Sequence, residues 1–170
     1  SNLLSGAGNS TFQNLGTVKT NSYGIGFVLN KVDYIPNPRV GIVMDAKFSI
    51  GTRSSQLLDS TTKEKSTVYR GELKISGFIP LAKRHVLVLK NQTHVYQAPM
   101  IFANEAHRYG GLTTQRGFNE EELYATSQTT FTAEYRFLAD KNSYAFAFFD
   151  QSFYENNSQS YYRDQPFGFG

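Results

Sequence analysis

The stretch Arg39-Val-Gly-Ile-Val-Met-Asp-Ala-Lys-Phe-Ser-Ile-Gly-Thr-Arg53 decides the fold class of this chain. Apolar side chains recur at every second position, and polar or charged residues fill most positions between them. Because successive side chains of a strand point to opposite faces, this repeat predicts a strand with one apolar and one polar face. The apolar set is Val40, Ile42, Met44, Ala46, Phe48 and Ile50, and Val43 interrupts the opposite face.

The same pattern continues outward on both sides of this stretch. Predicted strands cover residues 22–33, 39–53, 66–79, 85–97, 127–138 and 144–155, and residues 165–170 look like the beginning of another. Two of these strands rest on composition instead: 85–97 on its Val, Leu and Tyr content, because neither of its faces is clearly apolar, and 144–155 on its aromatic content. The chain is therefore predicted to be all-β and antiparallel.

The connections between these strands alternate between short and long. Short turns are predicted at 36–38, 80–84 and 139–143, polar loops at 54–65, 99–126 and 156–164, and an opening loop at 1–20. Long strands with short turns at one end and long loops at the other are typical of a transmembrane β-barrel. A soluble antiparallel sheet also has one apolar face, so a soluble β-sandwich stays open. The residues predicted to face lipid are Tyr23, Ile25, Phe27, Ile42, Met44, Phe48, Leu73, Ile75, Phe131, Tyr135 and Phe137.

Composition excludes several other classes of protein. The 170 residues fit one domain or a piece of one, and a net charge of +3 gives no reason to expect a nucleic-acid partner. The absence of cysteine excludes disulfides and thiolate metal sites. No apolar run is long enough for a transmembrane helix. The three histidines have no metal-binding spacing and no nucleophile motif occurs, so we predict no metal, no cofactor and no enzymatic activity.

The long loop at 99–126 contains the most distinctive local sequence. A loop of that length in a compact domain is usually functional or disordered. Glycines at Gly110, Gly111 and Gly117 allow sharp backbone turns, and Arg116 and Phe118 flank the last of them. The loop therefore presents a cation and an aromatic side chain together, as a functional element or as an ordinary surface loop.

Three stretches resemble the outer-membrane protein assembly family, the BamA and TamA barrels, also called bacterial surface antigen barrels. Residues 110–118, Gly-Gly-Leu-Thr-Thr-Gln-Arg-Gly-Phe, resemble the lid-loop motif of that family, although Gln115 stands where an aliphatic residue is usual. Phe148-Phe149-Asp150 resembles its strand motif after the lid loop. Residues 34–51 resemble its early turn and strand.

The resemblance implies a sixteen-stranded barrel of which this chain is a partial domain, residues 1–170. It would supply the eighth to thirteenth strands and the start of the fourteenth. The loop at 99–126 would fold into the lumen as a lid, with Arg116 against Asp150 and Glu134. We expect Phe118 to lodge against the barrel wall near Phe148.

The resemblance also implies a function. The protein would lie in the bacterial outer membrane, contact its lipid, and insert or export client proteins, together with subunits of an assembly complex. Two alternatives stay open. One is a barrel of the same superfamily that serves as a secretion pore or as the membrane anchor of a secreted enzyme. The other is a soluble β-sheet binding domain.

Overall fold

A computed structural model describes residues 16–57, 63–102, 105–158 and 161–170, and in these ranges the chain is all-β and antiparallel. The prediction of the fold class is confirmed at this level. No helix of the described residues is long and apolar enough to cross a membrane. The strands are β1 (Gly16–Val32), β2 (Gly41–Leu57), β3 (Glu64–Ala82), β4 (His85–Gln97), β5 (His107–Tyr109), β6 (Leu123–Ala125), β7 (Ser127–Leu138), β8 (Tyr144–Asn156), β9 (Tyr162–Asp164) and β10 (Phe167–Phe169).

Eight strands form one sheet in the order β1-β2-β3-β4-β7-β8-β10, with β9 also paired to β8. Each long strand pairs with the next long strand along the chain. Strands β9 and β10 lie on the same edge of β8, so they form a short, interrupted seventh strand. Six long strands and the start of a seventh are the number that the sequence predicted.

Several predicted boundaries were wrong. Strand β1 begins at Gly16, inside the predicted opening loop, and β2 and β3 extend into the predicted loop at 54–65. Strand β3 continues past Pro80 to Ala82, where its pairing with β4 shifts register, so only Lys83 and Arg84 form the turn. A proline can stand in a strand beside such an irregularity. The predicted loop residues 1–15, 58–62, 103–104 and 159–160 lie outside the described residues.

The two faces of the sheet differ in their chemistry. We call the face that contacts residues 98–126 the loop face, and the opposite one the outer face. In β7, every second residue from Phe131 to Phe137 is exposed on the outer face. On the other face of the same strand, Thr130, Glu134 and Arg136 are buried against the loop. This arrangement is the reverse of a soluble sheet, where apolar side chains are the buried set.

The loop face also holds an apolar cluster near the short turns. Phe78, Val86, Val88 and Leu138 are buried together, and Val32 and Val43 pack against them. This cluster explains why the sequence did not reveal the faces of β4. Val86 and Val88 lie on the loop face and Leu87 and Leu89 on the outer face, so apolar residues occur on both.

The connection between β1 and β2 reaches across the ends of β3 and β4. The Tyr34 hydroxyl donates to Asn142 Oδ1 over 2.8 Å, and Asn37 Nδ2 donates to the Lys141 carbonyl over 3.4 Å. Asn37 and Pro38 are buried in this position. The first and the last of the short turns are therefore in contact at one end of the sheet.

The substitution Val88→Ala tests the apolar cluster. Val88 is fully buried, so removal of its two methyl groups should lower the free energy of unfolding by about 1–3 kcal/mol. Val40→Ala is the matched control, because Val40 is half exposed in the connection between β1 and β2 and should change stability by less than about 0.5 kcal/mol. Denaturant unfolding measures both variants. Equal effects would contradict the cluster.

Candidate functional site

The long loop lies between β4 and β7 and has a hairpin of its own. The sequence predicted a long loop without strands at 99–126, but β5 and β6 pair within it through His107–Ala125, Arg108–Tyr124 and Tyr109–Leu123. The hairpin was missed because three-residue strands carry no detectable repeat. Its tip, residues 110–122, holds all five residues of the predicted lid motif.

Glycine is required in this tip. Gly110, Gly111 and Gly117 have positive φ angles of 124°, 91° and 95°, which other residues rarely adopt. A Cβ at Gly111 would also collide with the carboxylate of Glu120. That carboxylate accepts a hydrogen bond of 3.1 Å from the Leu112 backbone N–H, so the tip is folded against itself.

Arg116 makes the predicted ion pairs. Its Nε donates to Asp150 Oδ2 and its Nη2 to Asp150 Oδ1, both over 2.7 Å, and its Nη1 donates to Glu134 Oε2 over 2.9 Å. Burial disfavours the charged guanidinium, yet its hydrogen bonds and its proximity to the two carboxylates raise the pKa of Arg116 above its ordinary value. Only 13% of the side chain is exposed, so Arg116 is not an ordinary surface cation.

Glu134 has three cationic partners. Besides Arg116, it accepts a hydrogen bond of 2.6 Å from Arg136 Nε and one of 3.2 Å from Lys90 Nζ. Asp150 also accepts a hydrogen bond from Thr132 Oγ1. The sequence predicted the two carboxylates but not Arg136 and Lys90, although both lie on the polar face of their strands. We call the five charged residues of this network the tip cluster: Lys90, Arg116, Glu134, Arg136 and Asp150.

Aromatic side chains of β8 stack on the cations. The guanidinium carbon of Arg116 lies 3.5 Å from the ring centroid of Phe148, and that of Arg136 lies 4.4 Å from that of Tyr144. Phe118 is half-buried and makes no ring contact with Phe148 among the described residues, so its predicted position near Phe148 stays a prediction. Arg116 itself lies over the Phe148 ring, because a guanidinium can stack on a ring while its N–H groups meet carboxylates.

Two neighbours fix the backbone of Arg116. Gln115 is fully buried, and its Oε1 accepts a hydrogen bond from the Ser152 hydroxyl. A polar residue therefore stands there because Ser152 on β8 faces it. On β10, a Cβ at Gly168 would collide with the Arg116 carbonyl oxygen, so the loop approaches the last strand only because that residue is glycine.

A second buried ion pair holds the beginning of the loop, and the sequence did not predict it. Arg53 on β2 donates from Nε to Glu105 Oε1 over 2.8 Å and from Nη2 to Glu105 Oε2. The Tyr96 hydroxyl and the Phe102 backbone N–H also donate to Glu105, over 2.7 and 3.0 Å. Arg53 lies on the polar face of the strongest strand pattern, but nothing in the sequence connects it to Glu105.

His94 on β4 and His107 on β5 connect the hairpin to the sheet. The rings of His94 and His107 stack with centroids 4.2 Å apart, and His94 Nδ1 lies 4.0 Å from Glu72 Oε1. Burial lowers the pKa of His107 below its ordinary value. In the described part of the chain, no group of three or more His, Cys, Asp or Glu side chains could hold a metal ion.

The geometry defines a loop that ion pairs hold on the polar face of an antiparallel sheet. Comparisons with known proteins add no family to this description, because no family model, no curated protein and no solved structure matches the chain. What the site can do follows from its chemistry alone. Charged groups are arranged to hold a loop in place.

A double-mutant cycle tests the pairing of Arg116 with Asp150. Arg116→Ala leaves the Asp150 carboxylate without a cation and should weaken docking of the loop by about 3–5 kcal/mol, whereas Asp150→Ala leaves Arg116 its hydrogen bond to Glu134 and should weaken docking less. The double substitution should be no worse than Arg116→Ala alone, because the contact is already lost in that variant. Protease sensitivity of the loop in the folded protein measures docking. Additive effects, or a silent Arg116→Ala, would contradict the pairing.

Gly168→Ala tests the close approach of the lid to β10. The new methyl group would collide with the Arg116 carbonyl and should weaken lid docking by about 1–3 kcal/mol, as overpacking does. Gly71→Ala is the matched control, because a Cβ there has no neighbour within 4 Å. Amide hydrogen exchange at the tip measures docking. Equal protection in both variants would overturn the assignment.

Proposed function

We propose that this chain is part of a bacterial outer-membrane β-barrel in which residues 98–126 fold into the lumen as a lid. We further propose that the complete protein inserts or exports client proteins at that membrane. The observation that carries the proposal is the position of the tip cluster. It lies on the buried, charged face of a sheet whose opposite face is apolar and exposed.

The outer face supports a lipid environment. Its exposed side chains include Tyr23 at 85%, Ile25 at 80% and Phe48 at 51%. In water, such a continuous apolar surface would be unusually large for a monomeric protein. The residues from Ile42 to Ile50 span roughly 26 Å at about 3.3 Å per residue. That length suits the apolar band of an outer-membrane barrel, about 25 Å tall.

The proposal requires the sheet to be completed by further strands. Among the described residues, strands β1 and β10 have neighbours on one side only, and unpaired backbone groups are costly in lipid. A closed barrel is the arrangement that satisfies every group. Its loop face would then become the wall of a wet lumen, which suits the Arg, Lys, Glu and Asp side chains found there.

The lid would act through the strength of its ion pairs. A bidentate guanidinium–carboxylate pair fixes the position and the orientation of the loop, which a single lysine contact does not. In a wet lumen, water and passing polypeptide can compete for the same groups, so docking would be firm but reversible. Such a lid could open when a client enters the lumen, while the strands of the barrel stay paired.

Arginine substitution on the two faces tests membrane insertion. Met44 lies on the outer face and its neighbour Asp45 on the loop face. Met44→Arg should lower the stability of the complete protein in lipid vesicles by about 2–4 kcal/mol, because it places a charge in the apolar band. Asp45→Arg should cost less, because Asp45 has only a partly exposed pair with Lys47.

The measurement is denaturant unfolding in vesicles, accompanied by extraction into detergent. Equal tolerance at the two positions would contradict the lipid-facing assignment. A complete protein that folds and stays monomeric in buffer without detergent would indicate the soluble β-sheet domain instead.

A further inference from the structure

We propose that the lid has two independent anchors, and that the pair of Arg53 and Glu105 is a root anchor that holds the loop in place while its tip opens. Arg53 and Glu105 are thus positioning residues for the lid. The inference rests on the proposed lid function, which it deepens by giving the loop a hinge.

The ion pair of the root anchor is buried, and its carboxylate is fully hydrogen-bonded. Glu105 accepts four hydrogen bonds, two from Arg53 and one each from the Tyr96 hydroxyl and the Phe102 backbone N–H. Arg53 also donates from Nη1 to Ser55 Oγ over 2.9 Å, and its guanidinium carbon lies 5.0 Å from the Phe102 ring centroid. Burial would raise the pKa of Glu105, but these hydrogen bonds lower it overall, so the carboxylate stays charged.

The two anchors share no residue, although Lys90 of the tip cluster and Tyr96 of the root anchor both lie on β4. The root anchor uses β2 and β4, whereas Arg116 in the tip cluster meets carboxylates of β7 and β8. Between them stands the β5–β6 hairpin, held to the sheet by the stacked rings of His94 and His107. Loss of one anchor therefore leaves the contacts of the other intact.

The anchors differ in their place along the loop. Both are nearly closed to water, because Arg53 and Glu105 are 1% and 9% exposed and Arg116, Glu134 and Asp150 are 13%, 3% and 2% exposed. Glu105 lies close to the end of β4, whereas Arg116 lies in the tip beyond the β5–β6 pairing. The tip of a hairpin can leave a sheet while its stem stays paired, so local opening begins at the tip. Residues 110–122 would swing while the hairpin and the root stay on the sheet.

Amide hydrogen exchange of the complete, folded protein tests the hinge. Arg116→Ala should speed exchange at the tip amides of Gly110 and Arg116 by about tenfold or more, as the loss of a charge-assisted hydrogen bond predicts. The root amides of Phe102 and Glu105 should change by less than about threefold. Glu105→Gln should give the reverse pattern, and the double variant should expose both segments.

Glu121→Gln is the matched control, because Glu121 is an exposed loop carboxylate 3.8 Å from Arg108, and it should change neither segment. Arg53→Lys is a milder variant that keeps the charge but loses the two parallel hydrogen bonds, so it should loosen the root alone. Equal loss of protection at root and tip after Arg116→Ala would overturn the two-anchor proposal. So would unchanged root protection after both Glu105→Gln and Arg53→Lys.

The outcome is separable from that of the membrane test. A protein that needs no detergent would end the proposed lumenal role of the lid. The exchange pattern of the folded chain would still report whether the loop has one anchor or two.

Discussion

The structure depends on the neutralisation of charges that are buried between a loop and a sheet. Glu134 and Asp150 lie on adjacent strands, and both point to the loop face, where they would repel each other without cations. Lys90 and Arg136 come from the sheet, but Arg116 comes from the loop and is the group that joins the two carboxylates. Because a buried charge without a partner is costly, the loop and the sheet stabilise each other.

This constraint also explains the aromatic residues of β8. Tyr144 and Phe148 lie on the polar face, which contradicts a simple division into apolar and charged sides. Each ring lies under a guanidinium, so it supplies a weakly polar surface to a cation whose N–H groups are already used by carboxylates. The opposite face of the same strand carries Phe149 and Phe153, which are exposed. The aromatic residues of β8 therefore stack on cations on the loop face and are exposed on the outer face.

The sequence was sufficient for features that are local or periodic. Alternation predicted four of the six long strands, composition predicted those at 85–97 and 144–155, and the glycines around Arg116 indicated a structured loop. The ion pair of Arg116 with Asp150 and Glu134 came from a resemblance and was correct as geometry, whereas the barrel and its membrane remain proposals. Arg53 and Glu105 were missed because they are distant in sequence and each, taken alone, looks like an ordinary polar residue. The stacking of Arg116 on Phe148 was missed because sequence alone does not rank a ring against a guanidinium for one surface.

The order of the strands has a consequence for how the chain folds. Every long strand pairs with its successor, so most of the sheet can grow by adding one hairpin after another, with little chain entropy lost at each step. The exception is the step from β4 to β7, which must close residues 98–126. The small β5–β6 hairpin shortens the chain that has to be closed there. It could therefore act as a nucleus that keeps this step from limiting the rate at which the sheet forms.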